Sequence, residues 1–422
     1  MLTAIVGINW GDEGKGRMVD LLSEGYDIIC RYQGGNNAGH TVVNEKGKFI
    51  LNLLPSGILR DGVTNIMGSG MVSDLEHLCG EIEKLGEKGI TVNSDSLKIS
   101  DKAFICFPYH RQQDVLEEER LADKKYGSTK RGIAPVYGDK YMKKGVRISD
   151  LLTPDTLEQK LAEILSWKNL TLKSYGADQI DISYIINWLK SNGNKLLPFI
   201  TDTTEYLNKA IKNGKKILFE AQLGALRDID YGIYPYTTSS QTLAAYAPIG
   251  AGIPGIKIDH VIGVMKAYSS CVGEGPFAVE MSGDEGAALR EAGAEYGAAT
   301  GRPRRVGAFD IPASKYGVMV QGADEIALTK LDVLSYLEKI PVCTAYEVDG
   351  EKSDQFPSGD RLTKVKPVIE YMDGFKTDIS KCRRKEDLPE AAIKYIRYIE
   401  NAVSCPIRYV SVGAERDEYL TL

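Results

Sequence analysis

The sequence predicts an α/β fold with a mostly parallel central sheet, a P-loop-like phosphate loop and helical insertions. Three observations carry that prediction. Residues 2–8 form an unbroken apolar run of strand length containing β-branched residues, the pattern of a strand buried on both faces. A glycine-rich turn, Gly11-Asp12-Glu13-Gly14-Lys15-Gly16, follows, and residues 17–24 then place Met18, Val19, Leu21 and Leu22 at helical spacing. Strand, glycine turn and helix in that order build a cradle for an anion. Further strand-like runs at 27–32, 63–67, 216–219, 258–265, 325–330, 342–348 and 407–412 are interleaved with helical patterns at 73–88, 112–123, 155–171, 204–213 and 389–403. That interleaving is what a parallel sheet requires.

The segment from about 100 to 200 is poorer in strand runs and richer in charge, so it reads as a largely helical subdomain inserted between core strands. No linker or repeat separates it, and residues 1–422 are expected to form a single domain.

Composition narrows the function. With 43% hydrophobic and 26% charged residues the chain has the balance of a soluble globular protein. A net charge of −6 argues against a general nucleic-acid binder but leaves room for a local basic pocket. Seven scattered cysteines without a CxxC pair suit reduced thiols in the cytoplasm rather than a disulfide framework or a zinc site. The histidines at 40, 77, 110 and 260 lack the spacing of a zinc hydrolase. The N-terminal apolar run stops at Ile8, too short for a signal peptide or a membrane span.

Four segments carry candidate chemistry. In Gly11–Gly16, glycines let backbone N–H groups close around an anion while Lys15 adds a point charge. The spacing is neither Walker A nor GxGxxG, and alone it is also compatible with a plain strand-to-helix turn. Asp12 and Glu13 tip the balance, because carboxylates in a phosphate loop make sense if one binds a metal or takes a proton. Residues 33–41, Gln-Gly-Gly-Asn-Asn-Ala-Gly-His-Thr, form a second glycine-rich polar loop after the next strand. A lone His40 is often only a loop histidine, but ligands gather beyond the carboxyl ends of parallel strands, which favours a shared cleft. Residues 298–305, Ala-Ala-Thr-Gly-Arg-Pro-Arg-Arg, suit a mobile loop that grips carboxylates or phosphates with guanidinium forks. Thr329-Lys330-Leu331-Asp332 closes a strand with an acid able to accept from guanine N1–H and N2–H, while the lysine stem packs on the base.

Taken together these segments resemble the adenylosuccinate synthetases. The resemblance rests on Trp10-Gly-Asp-Glu-Gly-Lys-Gly16, Arg31-Tyr-Gln-Gly-Gly-Asn-Asn-Ala-Gly-His-Thr41, Leu54-Pro-Ser-Gly-Ile-Leu59, Tyr234-Pro-Tyr-Thr-Thr-Ser-Ser240, Thr300-Gly-Arg-Pro-Arg-Arg305 and Thr329-Lys-Leu-Asp-Val-Leu334. These runs occur in order across nearly the whole chain.

The resemblance implies a ligase that uses GTP to phosphorylate O6 of IMP and lets aspartate displace the phosphate, with Mg²⁺ as cofactor. Asp12 would be the general base and a metal ligand, with the Gly39 carbonyl also on the metal. His40 would be the general acid, and Lys15 would offset charge on the transferred group. GTP would lie against Gly11, Glu13, Gly14, Lys15, Gly16 and Arg17. It would also meet Gly39, His40, Thr41 and Arg304, with guanine read by Lys330, Leu331 and Asp332 and enclosed by Ser411, Val412 and Gly413. IMP would meet Asp12, share Glu13, Gly14 and Lys15 with GTP, and meet Asn37, Ala38, Gly39, His40 and Thr129. Its remaining contacts would be Leu223, Thr238, Val272, Arg302 and, from the partner of a homodimer with shared sites, Lys143. Aspartate would be held by Ala298, Ala299, Thr300, Gly301, Arg302, Pro303 and Arg304.

The chain departs from the family at several points. Phe219-Glu-Ala-Gln-Leu-Gly224 puts Leu223 where a purine-binding glutamine is usual. Asn36 replaces a common histidine, Ser128-Thr129-Lys130 replaces Thr-Thr-Gly, and Lys143 replaces arginine. Because these changes cluster around the nucleotide, the same chemistry on a related 6-oxopurine nucleotide such as dGMP is one alternative. A non-catalytic nucleotide-binding regulator is the other, and retention of Asp12, Lys15 and His40 argues against it.

Overall fold

The computed structural model describes residues 1–44, 47–297 and 301–422. Among these, ten strands form the central sheet: β1 (Leu2–Gly7), β2 (Ile28–Arg31), β3 (Thr64–Met67), β4 (Leu97–Ser100), β5 (Ile200–Thr201), β6 (Ile217–Gly224), β7 (His260–Lys266), β8 (Glu325–Thr329), β9 (Ile407–Ser411) and β10 (Tyr419–Thr421). Their order in space is β10-β9-β8-β7-β1-β6-β2-β3-β4-β5, and every pairing is parallel except β9 with β10. The α/β fold with a mostly parallel sheet is therefore present as expected.

Chain entry into the middle of the sheet follows from burial. All six residues of β1 are buried, and only an interior position covers a strand on both faces and both edges. Leu2 pairs with Ile217 on one side and Thr3 with His260 on the other. Each large aliphatic side chain so enclosed, Ile5 and Val6 among them, contributes roughly 1.5–3 kcal/mol. Because the strands are parallel, the loops leaving β1, β2, β6, β7, β8 and β9 all emerge at one end of the sheet. The candidate segments therefore converge although hundreds of residues separate them.

Between β4 and β5 lies the helical insertion. Helix α1 (Lys15–Leu22) follows the glycine loop and α2 (Leu75–Glu87) follows β3. The insertion then supplies α3 (Pro108–Leu121), α4 (Ile133–Tyr141), α5 (Pro154–Ser174) and α6 (Ile182–Leu196). A buried polar knot ties three of these together. His110 Nε2 lies 2.9 Å from Asp139 Oδ2, and Lys168 Nζ donates to Asp139 Oδ1 at 2.7 Å. Burial pulls the His110 pKa down to about 4. The backbone N–H of Phe107 donates to its Nδ1, so the neutral ring carries its proton on Nε2 towards Asp139.

Several elements differ from the sequence reading. The run at 342–348 is a strand, Lys339–Val348, but it belongs to a separate sheet with Phe309–Asp310, Glu351–Ser353 and Lys366–Asp373. The run at 216–219 extends as β6 through Gly224, because its polar residues are paired inside the protein rather than solvated. Helices α4, α6 and Ile311–Gln321 are additions to the elements expected from the sequence. Pro135 and Gly138 interrupt the pattern of the first and Pro312 and Gly317 that of the last. Strands β4, β5 and β10 are two to four residues long, too short to show a period.

Candidate active site

The glycine loop is shaped by left-handed backbone at Gly11 (φ 97°), Asp12 (φ 58°) and Gly14 (φ 99°). Glycine adopts this conformation freely, and aspartate tolerates it better than most residues. Glu13 faces inward. Its Oε1 accepts from the Gly11 N–H at 2.8 Å and the Asn9 N–H at 3.2 Å, and Oε2 accepts from Lys15 Nζ at 2.6 Å. Glu13 therefore organises the loop from beneath, and its side chain is directed at Lys15. A Cβ on Gly7 would stand 2.7 Å from that carboxylate and 2.4 Å from the Leu223 carbonyl, so only glycine admits this packing. The Thr329 hydroxyl donates to the Glu13 carbonyl at 2.6 Å and pins the loop to β8.

His40 opens the strand His40–Asn44, with Thr41 paired to Ile50 in the adjoining hairpin. It packs against the start of α1 so closely that a Cβ on Gly16 would lie 2.8 Å from its own Cβ. Its Nδ1 forms a short hydrogen bond with Oε1 of Glu220, a fully buried residue of β6. Glu220 also accepts from the Ser56 N–H at 2.8 Å and the Ser56 hydroxyl at 2.7 Å. Burial alone would raise the Glu220 carboxyl, but His40, Arg31 and Ser56 outweigh it and hold the pKa below its ordinary value. Burial lowers the His40 pKa, and the Glu220 charge opposes that change only in part. An ionised Glu220 can only accept, so Nδ1 carries a proton and Nε2 becomes a donor when the ring is protonated.

Asp12 lies at the wall of a cavity of about 690 Å³. Asn37, Ala38, Gly39, Thr129, Leu223 and Thr238 line it, as does the exposed Val272. Gln222 is buried beneath the second glycine loop, donating to the Gly35 carbonyl at 3.0 Å and accepting from the Gly35 N–H at 3.2 Å. It is thus a prop for that loop, while Leu223, at φ 63°, is the residue presented to the cavity. Arg304 also reaches the wall, and its Nη2 stands 3.0 Å from Asp12 Oδ2.

A second sector is formed around the start of α1 and the loops after β8 and β9. Arg17 Nη1 donates to the Ser411 hydroxyl at 2.6 Å and to the Gly413 carbonyl, so α1 holds the loop after β9. Leu331 is buried, and its N–H reaches the Ser411 carbonyl at 3.3 Å. Val412 is buried beside them. Among the described residues Asp332 Oδ1 is buried without a hydrogen-bond partner, and burial raises its carboxyl pKa. A buried acceptor left open is costly unless a ligand donor completes it. Lys330 Nζ reaches the Gly293 carbonyl and stands 3.6 Å from Glu295.

Other expected contacts are placed as follows. Arg302 is exposed and pairs with Glu274 at 3.0 Å, and Gly301 and Pro303 are exposed beside it. Ala298, Ala299 and Thr300 lie outside the described residues. Lys143 follows α4 at φ 62°, is exposed, and does not line its own chain's cavity. Among the described residues no group of three or more His, Cys, Asp or Glu side chains could hold a metal ion; the cavity is lined by Asp12, Asp114, Glu117, Glu118 and Asp139, and of these Asp12 is the one in the glycine loop.

Three residues at the site escaped sequence reasoning. Glu220 and Lys266 left only a faint mark, since each directly follows an apolar strand run, and a charge there is buried only when paired. Glu295 had no such mark.

One sector thus suits anionic groups and a purine base, and the other a second ligand in a walled cavity, which is the arrangement of an α/β nucleotide-binding enzyme. Comparison with known proteins agrees. The adenylosuccinate synthetase family profile matches residues 4–420. The adenylosuccinate synthetase of Caldanaerobacter subterraneus is 45% identical over 100% of this chain and 99% of its own. That of Halothermothrix orenii is 47% identical over 98% of this chain and 97% of its own. The fully ligated adenylosuccinate synthetase from Plasmodium falciparum superposes with a TM-score of 0.94 at 38% identity, covering 100% of this chain and 99% of that one. The succinoaminodeoxyadenylate synthetase of cyanophage S-2L, bound to dGMP and dATP, covers 99% of this chain at a TM-score of 0.63 and 18% identity, and shares the fold. The chain belongs to the adenylosuccinate synthetase family, GTP-dependent ligases of purine biosynthesis.

Proposed function

We propose that the chain joins L-aspartate to IMP at the expense of GTP, giving adenylosuccinate, GDP and phosphate. The observation that carries this reading is Asp12 and Gly39 at the wall of one cavity, with the His40–Glu220 pair packed against Gly16 at the end of the same glycine loop. Asp12 takes the N1 proton of IMP, and the electron density released makes O6 nucleophilic. O6 attacks the γ-phosphorus of GTP, the bond to the β-phosphate oxygen breaks, and GDP leaves. Lys15 and the loop amides balance charge on the phosphoryl group, while His40 donates from Nε2 to its oxygens. The amine of aspartate then attacks C6, and phosphate departs with O6. Asp12 and the Gly39 carbonyl suit Mg²⁺, which takes few protein ligands when phosphates and water complete its shell. When bound, that ion neutralises phosphate charge. Turnover with IMP and with dGMP at fixed GTP and aspartate tests the reading, and a preference for dGMP would overturn it.

Guanine recognition is assigned to Asp332, supported by its open buried oxygen. Asp332→Asn is expected to weaken GTP by roughly 1–3 kcal/mol and to improve use of xanthosine triphosphate, whose 2-oxo group can accept from the new amide. Unchanged kinetics with both nucleotides would remove Asp332 from this role.

The site is further read as shared across a twofold homodimer, with Lys143 reaching the nucleotide phosphate of the neighbouring chain. Its exposure, together with the exposed Tyr141 and Met142 beside it, supports this reading. Lysine supplies a point charge without the planar fork of arginine. Asp12→Ala and Lys143→Ala enzymes, each impaired, should regain about a quarter of wild-type activity when mixed under subunit exchange, since half of the dimers then hold one intact site. Exchange without any gain would place Lys143 elsewhere.

The whole chain is read as a single domain, supported by β4 and β5 joining the central sheet on either side of the helical insertion. A cytoplasmic location is supported by seven cysteines that are all unpaired.

A further inference from the structure

Glu295 lies outside the sequence motifs, yet four donors surround it. It is fully buried. Its Oε1 accepts from Lys266 Nζ at 2.7 Å and from the Tyr268 hydroxyl, and Lys330 Nζ stands 3.6 Å away. Its Oε2 accepts from Arg304 Nη1 at 2.8 Å. Lys266 and Tyr268 are buried at and just beyond the end of β7, so they anchor the carboxylate to the sheet. The other two partners belong to segments that face ligands. Lys330 borders the guanine sector, and Arg304 extends its second nitrogen to Asp12 at 3.0 Å. A continuous series, Lys330–Glu295–Arg304–Asp12, therefore joins the base-reading sector to the catalytic carboxylate. A purely structural buried carboxylate needs one cation to balance it. Here three converge, and together they outweigh the effect of burial and hold the carboxyl well below the usual range.

We propose that Glu295 is a positioning residue that couples guanine recognition to the disposition of Asp12, by holding Lys330 and Arg304 on one anchor fixed to the sheet. The proposal rests on the GTP reading above. When Asp12 turns to the purine N1 proton, Arg304 loses one of its two anionic partners, and Glu295 keeps it in place. Without Glu295, Arg304 has Asp12 as its nearest carboxylate and competes for the lone pairs that the proton needs.

Glu295→Gln keeps the volume and removes the charge. The KM for GTP is expected to rise about tenfold, since Lys330 borders the guanine sector, while that for IMP stays within about threefold. The decisive readout is coupling. With Glu295 in place, Lys330→Met and Arg304→Lys should be non-additive in kcat/KM for GTP by about tenfold, and in the Glu295→Gln enzyme additive within about twofold. A merely structural role would lower Tm and leave the KM values and the coupling of the folded enzyme unchanged, and that result overturns the proposal. Should Glu295→Gln fail to fold, Glu295→Asp reads the same coupling with a shorter carboxylate, and coupling equal to that of the wild type overturns the proposal equally. Wild-type turnover that proceeds without GTP would instead sink the GTP reading itself.

Discussion

Asp12→Asn is expected to lose turnover by at least about 10²–10⁴-fold while still binding IMP and GTP. The amide keeps the shape of the carboxylate but cannot take the N1 proton, and it ligates Mg²⁺ poorly, which adds to the loss. Loop geometry should survive, because the turn is held by Glu13, Lys15 and Thr329 rather than by the Asp12 side chain. Arg304 loses its contact at 3.0 Å with Asp12 but keeps the one at 2.8 Å with Glu295. Single-turnover kinetics alongside equilibrium binding of each nucleotide separate these effects. Activity within a few-fold of wild type would remove Asp12 from the role of base.

Glu220→Gln should be nearly as damaging, and its effect should depend on pH in a defined direction. Burial pushes the His40 pKa down, and the Glu220 charge opposes that fall. Removing the charge lowers the pKa further, so the ring loses its Nε2 proton at a lower pH than in the wild type. The alkaline limb of the pH–rate profile should move to lower pH. At neutral pH the rate should fall by about 10²-fold or more, and part of it should return on acidification. Ser56→Ala offers a control, since Ser56 bonds to Glu220 without adding charge. A Glu220→Gln profile with an unmoved alkaline limb would show that His40 does not act as the acid through this pair.

How much of this is legible depends on the kind of signal. Long apolar runs flanked by glycine predict β1, β2, β3, β7, β8 and β9 to within one or two residues at most ends, because burial on both faces leaves a local mark. The apolar pattern of β6 stops at Phe219, since Glu220 and Gln222 look like the end of a strand until their partners are known. Those partners, His40 and Gly35, lie about 180 residues earlier in the chain. Separation along the chain likewise hides Glu295, whose four neighbours come from three separate segments.

Residue order and spacing were enough for the class of fold, the glycine loop, the family and the residue types able to move a proton or grip a phosphate. Each of these is written locally: a period of two or 3.6, a glycine where φ must be positive, a carboxylate beside a lysine. How the charges pair became plain only in three dimensions. Glu13 turns inward to Lys15, Gln222 props a loop, Leu223 faces the cavity, and Arg304 bridges Asp12 and Glu295. The physical reason is that electrostatic and hydrogen-bond partners are chosen by distance in space, which parallel strand order sets and residue spacing does not.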